Sequence, residues 1–126
     1  MKEILAIVRM NKMNQTKRAL SEVNITSITA RDALGRGKGL VDVHLLEGAE
    51  KGYEEAISQL GHTQRMIPKR ALIIVVPDEL VDKTVKTIIQ VNQTGKSGDG
   101  KIFVMPCLDA IRVRTGESGD AVLDDI

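Results

Sequence analysis

A glycine-rich segment between residues 95 and 101 has the residue types and spacing of a phosphate-binding loop. Its sequence, Gly-Lys-Ser-Gly-Asp-Gly-Lys, fits the pattern G-x-x-x-x-G-K, in which backbone N–H groups converge on an anion. Residue 102 is Ile, however, where a phosphate-loop NTPase needs Ser or Thr to bind magnesium, and the segment joins a predicted helix to a predicted strand, the reverse of that motif. The segment is therefore either a phosphate cradle of another kind or a turn that ends a helix.

Two arginines near the C-terminus favour the phosphate-binding interpretation. Arg112 and Arg114 lie in a segment, 111–114, in which Ile and Val alternate with arginine. We predict a strand here, so that both guanidinium groups point the same way and suit phosphate oxygens, provided that the sheet brings them near Lys101. The alternative is an ordinary solvated strand face.

No set of residues in the sequence suggests catalysis. Cys107 is the only cysteine and the histidines are His44 and His62, which excludes an internal disulfide and a four-ligand Cys/His zinc site within one chain. We recognise no Ser-His-Asp arrangement and no obvious base near the glycine-rich segment. Binding without chemistry is the better interpretation, with Cys107 as a buried apolar residue and the two histidines as ordinary loop residues.

The composition indicates a soluble globular chain with one domain. Of its 126 residues, 42% are hydrophobic and 28% are charged. Lys and Arg number 18 against 17 for Asp and Glu, and only 2% of residues are aromatic, so we do not expect a nucleic-acid partner. No stretch approaches the roughly 18 apolar residues of a membrane span, so we expect no membrane insertion and a cytoplasmic location.

The elements that must position these residues follow a strand-helix-strand pattern that occurs twice. The first unit is predicted as a strand over Lys2–Arg9, a helix over Gln15–Val23 between Asn14 and Asn24 as caps, and a strand over Ile25–Ala33. The second is predicted as a strand over Ala71–Val76, a helix with Asp78 as its N-cap, and a strand over Lys101–Met105. This order predicts an α+β, ferredoxin-like (βαββαβ) sandwich with both helices on one face of an antiparallel sheet.

Two further features concern the surroundings of that sheet. Residues on both faces of the strands are apolar, so we predict that the face without helices packs against copies of the chain in an oligomer.

The segment from about residue 35 to 67 holds six of the eleven glycines and no sustained pattern of apolar residues. Because irregular loops longer than about 12 to 15 residues are usually functional, we predict a long mobile loop within a single domain spanning 1–126.

The segment Thr94–Val104, with the sequence TGKSGDGKIFV, resembles the nucleotide-binding signature of the PII (GlnB-like) nitrogen-regulatory family. The resemblance continues through Ile111–Glu117, through Val75–Asp78, and through the opening strand-helix-strand up to Thr29. It covers nearly all of the chain outside the middle loop. It implies a homotrimer of ferredoxin-like subunits that binds ATP or ADP at subunit clefts and transmits a signal without enzymatic activity.

The resemblance also implies roles for individual residues. Nucleotide binding falls to the loop 94–101 and the arginine segment 111–117, and the residues implied are Thr29, Gly35, Arg36, Gly98, Asp99, Gly100, Lys101, Arg112 and Arg114. The effector 2-oxoglutarate would bind beside the nucleotide through a bridging Mg²⁺, near Gly37, Lys38 and Lys69, with no side-chain metal ligand assigned. Residue 37 is Gly where the family has Gln, which removes an amide group, so we expect the affinity or geometry for 2-oxoglutarate to differ.

Departures in the middle loop resemble the nitrogenase-associated NifI-type subfamily. The loop is longer than in the general enterobacterial type and lacks the tyrosine context in which that type is uridylylated, so Tyr53 is expected to be structural. Members of this subfamily work as a pair to switch nitrogenase off, which implies nitrogenase components and a paralogous PII-type subunit as partners. The alternatives are a general PII sensor of an ammonium transporter or a nitrogen-assimilation enzyme, an ATP-hydrolysing enzyme, and a purely structural trimer.

Overall fold

The computed structural model describes residues 1–36 and 66–124. Its strands and helices are β1 (Lys2–Arg9), α1 (Met13–Glu22), β2 (Thr29–Gly35), β3 (Ile67–Val76), α2 (Val81–Asn92) and β4 (Lys101–Pro106). Most of the predicted loop lies outside the described residues, together with Gly37, Lys38, His44, Tyr53 and His62.

The four strands form one antiparallel sheet in the order β2-β3-β1-β4. Ile4, Ala6 and Val8 of β1 are buried on the same face as Leu72, Ile74 and Val76 of β3, and they pack with Leu20 of α1 and Ile88 of α2. This alternation is the period-two pattern of a strand with one face in the core. The arrangement confirms the predicted ferredoxin-like fold.

The register brings three chain segments to one end of the sheet. Arg9, at the end of β1, is paired with Lys69 near the start of β3. Ile7 is paired with Lys101, the first residue of β4. The glycine-rich segment that precedes β4 therefore lies beside the end of β1 and the start of β3.

The face of the sheet without helices is partly covered by the C-terminal segment. Leu5 and Ile7 of β1 and Ile73 and Val75 of β3 are half-buried on this face. Val122 from the C-terminal segment is buried and lines a cavity with Ile73 and Val75. Leu108 and Val113 remain fully exposed, so apolar surface is left over. The predicted packing against other copies stays a prediction.

The predicted strand at 111–114 is wrong. Only an isolated pairing of Ile111 with Ser118 is present there. The chain reverses between them, because the N–H of Arg112 donates to the carbonyl of Glu117 at 2.8 Å and that of Gly116 donates to the carbonyl of Arg112 at 2.7 Å. Gly116 has a φ of 78°, which glycine adopts without cost and which a regular strand does not contain.

Both predicted N-caps are also wrong. Asn14 lies inside α1, and neither helix has a side-chain cap. Asp78 instead accepts a hydrogen bond from Lys2 at 3.0 Å and contacts the N-terminal amino group at 3.1 Å. These two cations satisfy the carboxylate from outside the helix. Asn24, by contrast, has a φ of 66° just after α1, as its predicted left-handed conformation requires.

The strand boundaries and the environment of Cys107 differ from the prediction. β2 begins at Thr29 rather than at Ile25, and β3 begins at Ile67 rather than at Ala71. Pro68 is tolerated in β3 because the β1 ladder ends at Lys69, so that only β2 pairs there. Cys107 is half-buried rather than buried, and its thiol contacts the carbonyl of Asp109.

Candidate functional site

The connection from α2 to β4, residues 94–101, forms a loop that crosses close over β1; we call it the glycine loop. Gly95, Gly98 and Gly100 have φ values of 83°, 96° and 113°. A Cβ atom at Gly100 would lie 1.9 Å from the carbonyl oxygen of Ile7. The loop therefore needs glycine at position 100 both for its backbone conformation and for space.

Asp99 holds the beginning of the glycine loop to its end. Its carboxylate accepts hydrogen bonds from the N–H of Thr94 at 2.8 Å, from the N–H of Gly95 at 3.0 Å and from the hydroxyl of Thr94. A fourth bond comes from Arg9 Nη1. Hydrogen bonds from Thr94 and then from Arg9 hold the pKa of Asp99 well below its usual range. With about four acceptor positions occupied, this carboxylate organises the loop.

Two cations bind the loop from the sheet. Arg9 Nη2 donates to the carbonyl of Ser97 at 2.9 Å, and Lys69 Nζ donates to the carbonyl of Gly98 at 2.9 Å. Burial, and then the neighbouring Arg9 charge, lower the pKa of Lys69, while Asp99 acts in the opposite direction. Two cations surround one carboxylate here, so the end of the loop carries excess positive charge.

The loop also presents N–H groups that suit an anion. The N–H groups of Thr94, Gly95 and Lys96 are used inside the loop, the last by the Thr94 hydroxyl at 3.2 Å. Those of Ser97 and Gly98 have no hydrogen-bond partner among the described residues. Consecutive N–H groups near a glycine in positive φ form the concave surface that binds phosphate or carboxylate oxygens. Exposed Lys96 and Lys101 add positive charge beside it.

The predicted nucleotide residues fall into two groups within one chain. Asp99, Gly100 and Lys101 line a cavity of about 380 Å³ beside α2. Thr29, Arg112 and Arg114 line a different cavity of about 360 Å³ under the C-terminal turn, although Arg112 and Arg114 do not lie on a strand. One chain thus brings the arginines to Thr29 and does not place them in the cavity of the glycine loop.

The predicted residues at the base of the middle segment lie near Lys69. Gly35 ends β2, and a Cβ atom there would lie 3.7 Å from Lys69 Cγ, while Arg36 follows directly. Lys69 itself contacts the glycine loop, so it joins the base of the middle segment to the predicted phosphate site. Gly37 and Lys38 lie outside the described residues.

Sequence reasoning missed Arg9 and Thr94, which hold the glycine loop together with Asp99. A signal was present for Arg9, because it ends the first strand on the face that lacks helices, where a lone cation needs a partner. For Thr94, the signal was its place just after α2, where a hydroxyl can bond to nearby backbone. What the sequence alone lacked was the register that brings the two residues together.

The model of the family described as "Nitrogen regulatory protein P-II" matches residues 1–117 of the chain. The chain belongs to the PII family. "Nitrogen fixation nifHD region GlnB-like protein 2" of Methanobacterium ivanovii is 46% identical over 124 residues, covering 98% of this chain and all of the relative. The protein of the same name from Methanococcus maripaludis is 46% identical over 123 residues. These relatives confirm the predicted resemblance to the nitrogenase-associated, NifI-type PII proteins.

Similarity extends to other branches of the PII family. "Nitrogen regulatory protein P-II 1" of Escherichia coli is 41% identical over 123 residues, covering 98% of this chain and all of the relative. The crystal structure of Arabidopsis thaliana PII bound to citrate has a TM-score of 0.71 and 32% identity, covering 95% of this chain and 86% of the plant chain. The fold described above is therefore that of a PII protein.

Two features bear on metals and membranes. No group of three or more His, Cys, Asp or Glu side chains in residues 1–36 and 66–124 could hold a metal ion. No helix in the same ranges is long and apolar enough to cross a membrane.

Proposed function

We propose that the chain is a cytoplasmic PII signal-transduction protein that binds ATP or ADP together with 2-oxoglutarate and regulates nitrogenase. The observation that carries the proposal is the glycine loop, which offers N–H groups of Ser97 and Gly98 to an anion in a chain that belongs to the PII family. The similarity to nifHD-region proteins supports nitrogenase as the target. PII proteins are regulators, which supports a role without catalysis.

The glycine loop would bind the phosphates of the nucleotide. N–H groups of Ser97 and Gly98 and the ammonium group of Lys101 suit phosphate oxygens, and Gly98 and Gly100 leave room for close approach. Asp99 would act through the loop because its own acceptor positions are filled by Thr94, Gly95 and Arg9. The phosphates would thus meet backbone dipoles and cations, and the carboxylate of Asp99 would be held by its partners within the loop.

A neighbouring subunit would supply the second group of nucleotide residues. Thr29, Arg112 and Arg114 line a cavity separate from that of the glycine loop in one chain. In a homotrimer, a head-to-tail interface that closes into a ring can place these residues of one subunit against the loop of the next. Exposed apolar residues such as Leu108 and Val113 are available for such an interface.

The effector 2-oxoglutarate would bind next to the glycine loop at Lys69, and the other two residues proposed to bind it, Gly37 and Lys38, lie outside the described residues. Lys69 is half-buried, and it is held near the loop by the carbonyl of Gly98. When bound, Mg²⁺ would supply positive charge that offsets the anionic groups of both ligands. Since residue 37 is Gly, the ligands of the metal would come mainly from the nucleotide and 2-oxoglutarate.

The middle segment would transmit the state of this site to the target. It leaves β2 at Gly35 and enters β3 at Ile67, and Gly35 and Lys69 lie beside the site at its base. A ligand changes the segment only by its difference in affinity for two arrangements, and couplings of about 1 to 3 kcal/mol give roughly 5- to 150-fold control. A paralogous PII-type subunit would complete the regulatory pair.

Calorimetric titration of 2-oxoglutarate into the purified protein tests the proposal, first with Mg-ATP and then without nucleotide. We expect 2-oxoglutarate to bind only with Mg-ATP, and Lys69→Met to abolish that binding while ATP still binds. Binding of ATP without any binding of 2-oxoglutarate would limit this chain to nucleotide sensing. Absence of ATP binding would overturn the proposal.

A general PII sensor that acts on an ammonium transporter or a nitrogen-assimilation enzyme is the second candidate. The 41% identity to P-II 1 of Escherichia coli favours it. Purified nitrogenase components and a purified ammonium transporter can be compared as binding partners, with a variant lacking residues 37–65 as the control. Binding to the transporter and not to nitrogenase, lost in the deletion variant, would support this candidate instead.

A further inference from the structure

We infer that Arg9 is a positioning residue for the nucleotide, because it fixes the glycine loop in its anion-binding shape through Asp99 and Ser97. The inference rests on the proposed binding of ATP or ADP at that loop. The sequence places Arg9 at the end of the first strand but does not identify its partners. The role of Arg9 is inferred from the contacts that form when the strands pair in the observed register.

The guanidinium group of Arg9 reaches two separate points of the loop. Nη1 donates to the carboxylate of Asp99, and Nη2 donates to the carbonyl of Ser97 at 2.9 Å. The planar fork of arginine can make both bonds at once, whereas an ammonium group is a single point of charge. Arg9 therefore sets the distance between the carboxylate and the Ser97 peptide.

The contact with Asp99 has consequences for the rest of the loop. The same carboxylate accepts the N–H groups of Thr94 and Gly95, which begin the loop. Arg9 thus stabilises an arrangement in which these two N–H groups point inward, leaving those of Ser97 and Gly98 for the anion. It also neutralises a negative charge that would otherwise repel phosphate.

The guanidinium group of Arg9 also packs closely against the backbone of the loop at Gly98. A Cβ atom at Gly98 would lie 3.2 Å from Arg9 Nη2 and 3.6 Å from Lys69 Nζ. The Gly98 peptide is therefore packed against both cations. The side chains of Arg9 and Asp99 are only 26% and 23% exposed, so this pair is screened less than one on the open surface.

The experiment compares Arg9→Gln, Arg9→Lys and the matched control Arg18→Gln, in which an exposed arginine of α1 is changed in the same way. Amide hydrogen exchange, measured without ligand, shows how well the N–H groups of the loop are protected, and calorimetry measures the affinity for ATP. In Arg9→Gln, we expect faster exchange at Thr94 and Gly95, unchanged exchange in the centre of β1, and ATP affinity about tenfold weaker. Arg9→Lys should recover part of the affinity, and Arg18→Gln should stay within about twofold of the parent.

The outcomes separate this inference from the proposed function. Unchanged exchange at Thr94 and Gly95 in Arg9→Gln would overturn the inference, as would faster exchange with unchanged ATP affinity, while nucleotide binding would stand in both cases. If the parent protein binds no ATP, the proposed function fails and a positioning role fails with it. Loss of protection throughout β1 in Arg9→Gln, together with no recovery in Arg9→Lys, would show a general folding role and would also overturn the inference.

Discussion

At the scale of single residues, Asp99 shows how the hydrogen bonds of a carboxylate can be used inside a loop that is proposed to bind an anion. Its acceptor positions are filled by two backbone N–H groups, a hydroxyl group and a guanidinium group. The negative charge is therefore used to shape the loop, while the N–H groups of Ser97 and Gly98 have no hydrogen-bond partner among the described residues. This explains why an acidic residue stands among the glycines of this loop.

Asp99→Asn tests whether this carboxylate stabilises the folded chain as an anion. The pKa of Asp99 is lowered by folding, so its contribution to stability is present above the unfolded pKa of about 3.9 and is lost as the pH falls through the lower folded value. We expect Asp99→Asn to be less stable than the parent at pH 6 and to lose less stability below pH 4. Urea unfolding at several pH values measures this. Asp82→Asn, exposed on α2, is the control, and equal acid dependence in Asp99→Asn and the parent would contradict the prediction.

Gly100→Ala should be far more destabilising than Gly95→Ala. Both residues have positive φ, but only at Gly100 would the added Cβ meet backbone, at 1.9 Å from the Ile7 carbonyl oxygen. We expect a loss of about 1 to 2 kcal/mol in unfolding free energy for Gly95→Ala, from backbone strain alone. For Gly100→Ala we expect about 3 to 5 kcal/mol, since β1 and the loop must also separate. Urea unfolding at one fixed protein concentration checks the difference, and equal losses would show that the loop can move away from β1.

At the scale of helices and strands, the sequence alone predicted an element correctly where a single pattern of apolar residues dominated. The first strand was predicted over Lys2–Arg9 as observed, because its apolar residues leave no other interpretation. The C-terminal segment was misassigned because Ile and Val alternate with arginine as in a strand, while Gly116 and the Arg112–Glu117 ion pair favour a turn. Asp78 failed as a cap because partners distant in sequence were available. Local sequence patterns predict helices and strands well, but they give no information about contacts between residues that are far apart in the chain.

The two helices are joined by a buried polar contact that can be tested by itself. The amide nitrogen of Asn92 in α2 donates to the Thr16 hydroxyl of α1 at 3.0 Å, and both residues are buried. Thr16→Val keeps the shape but leaves a buried N–H group without its acceptor, which should cost about 1 to 3 kcal/mol. Thr87→Val, whose hydroxyl bonds only within α2 and is exposed, should cost about 0.5 kcal/mol or less. Urea unfolding compares the two, and equal effects would show that the contact between the helices contributes little.

At the scale of the whole molecule, the residues proposed to bind the nucleotide lie at two separate places in one chain. The glycine loop has backbone donors and Lys101, while Thr29 and the two arginines lie at another cavity. Each part could serve a different neighbour, so an assembly can complete as many sites as it has subunits. Fully exposed apolar side chains at Leu108 and Val113 are available to an interface in the proposed assembly.

Mixed assemblies would show whether the two parts meet between subunits. One variant carries Lys101→Gln and another carries Arg112→Gln with Arg114→Gln, so that each alone should bind ATP weakly. In a head-to-tail trimeric ring, the loop of each subunit would face the arginines of the next subunit. Every trimer that contains both variants therefore has one interface at which an intact loop meets intact arginines. Co-refolding the two variants in equal amounts should therefore restore tight binding at about a quarter of all sites, measured by calorimetric stoichiometry. A mixture that binds no better than its components would place the whole site within one subunit, since neither chain could then complement the other.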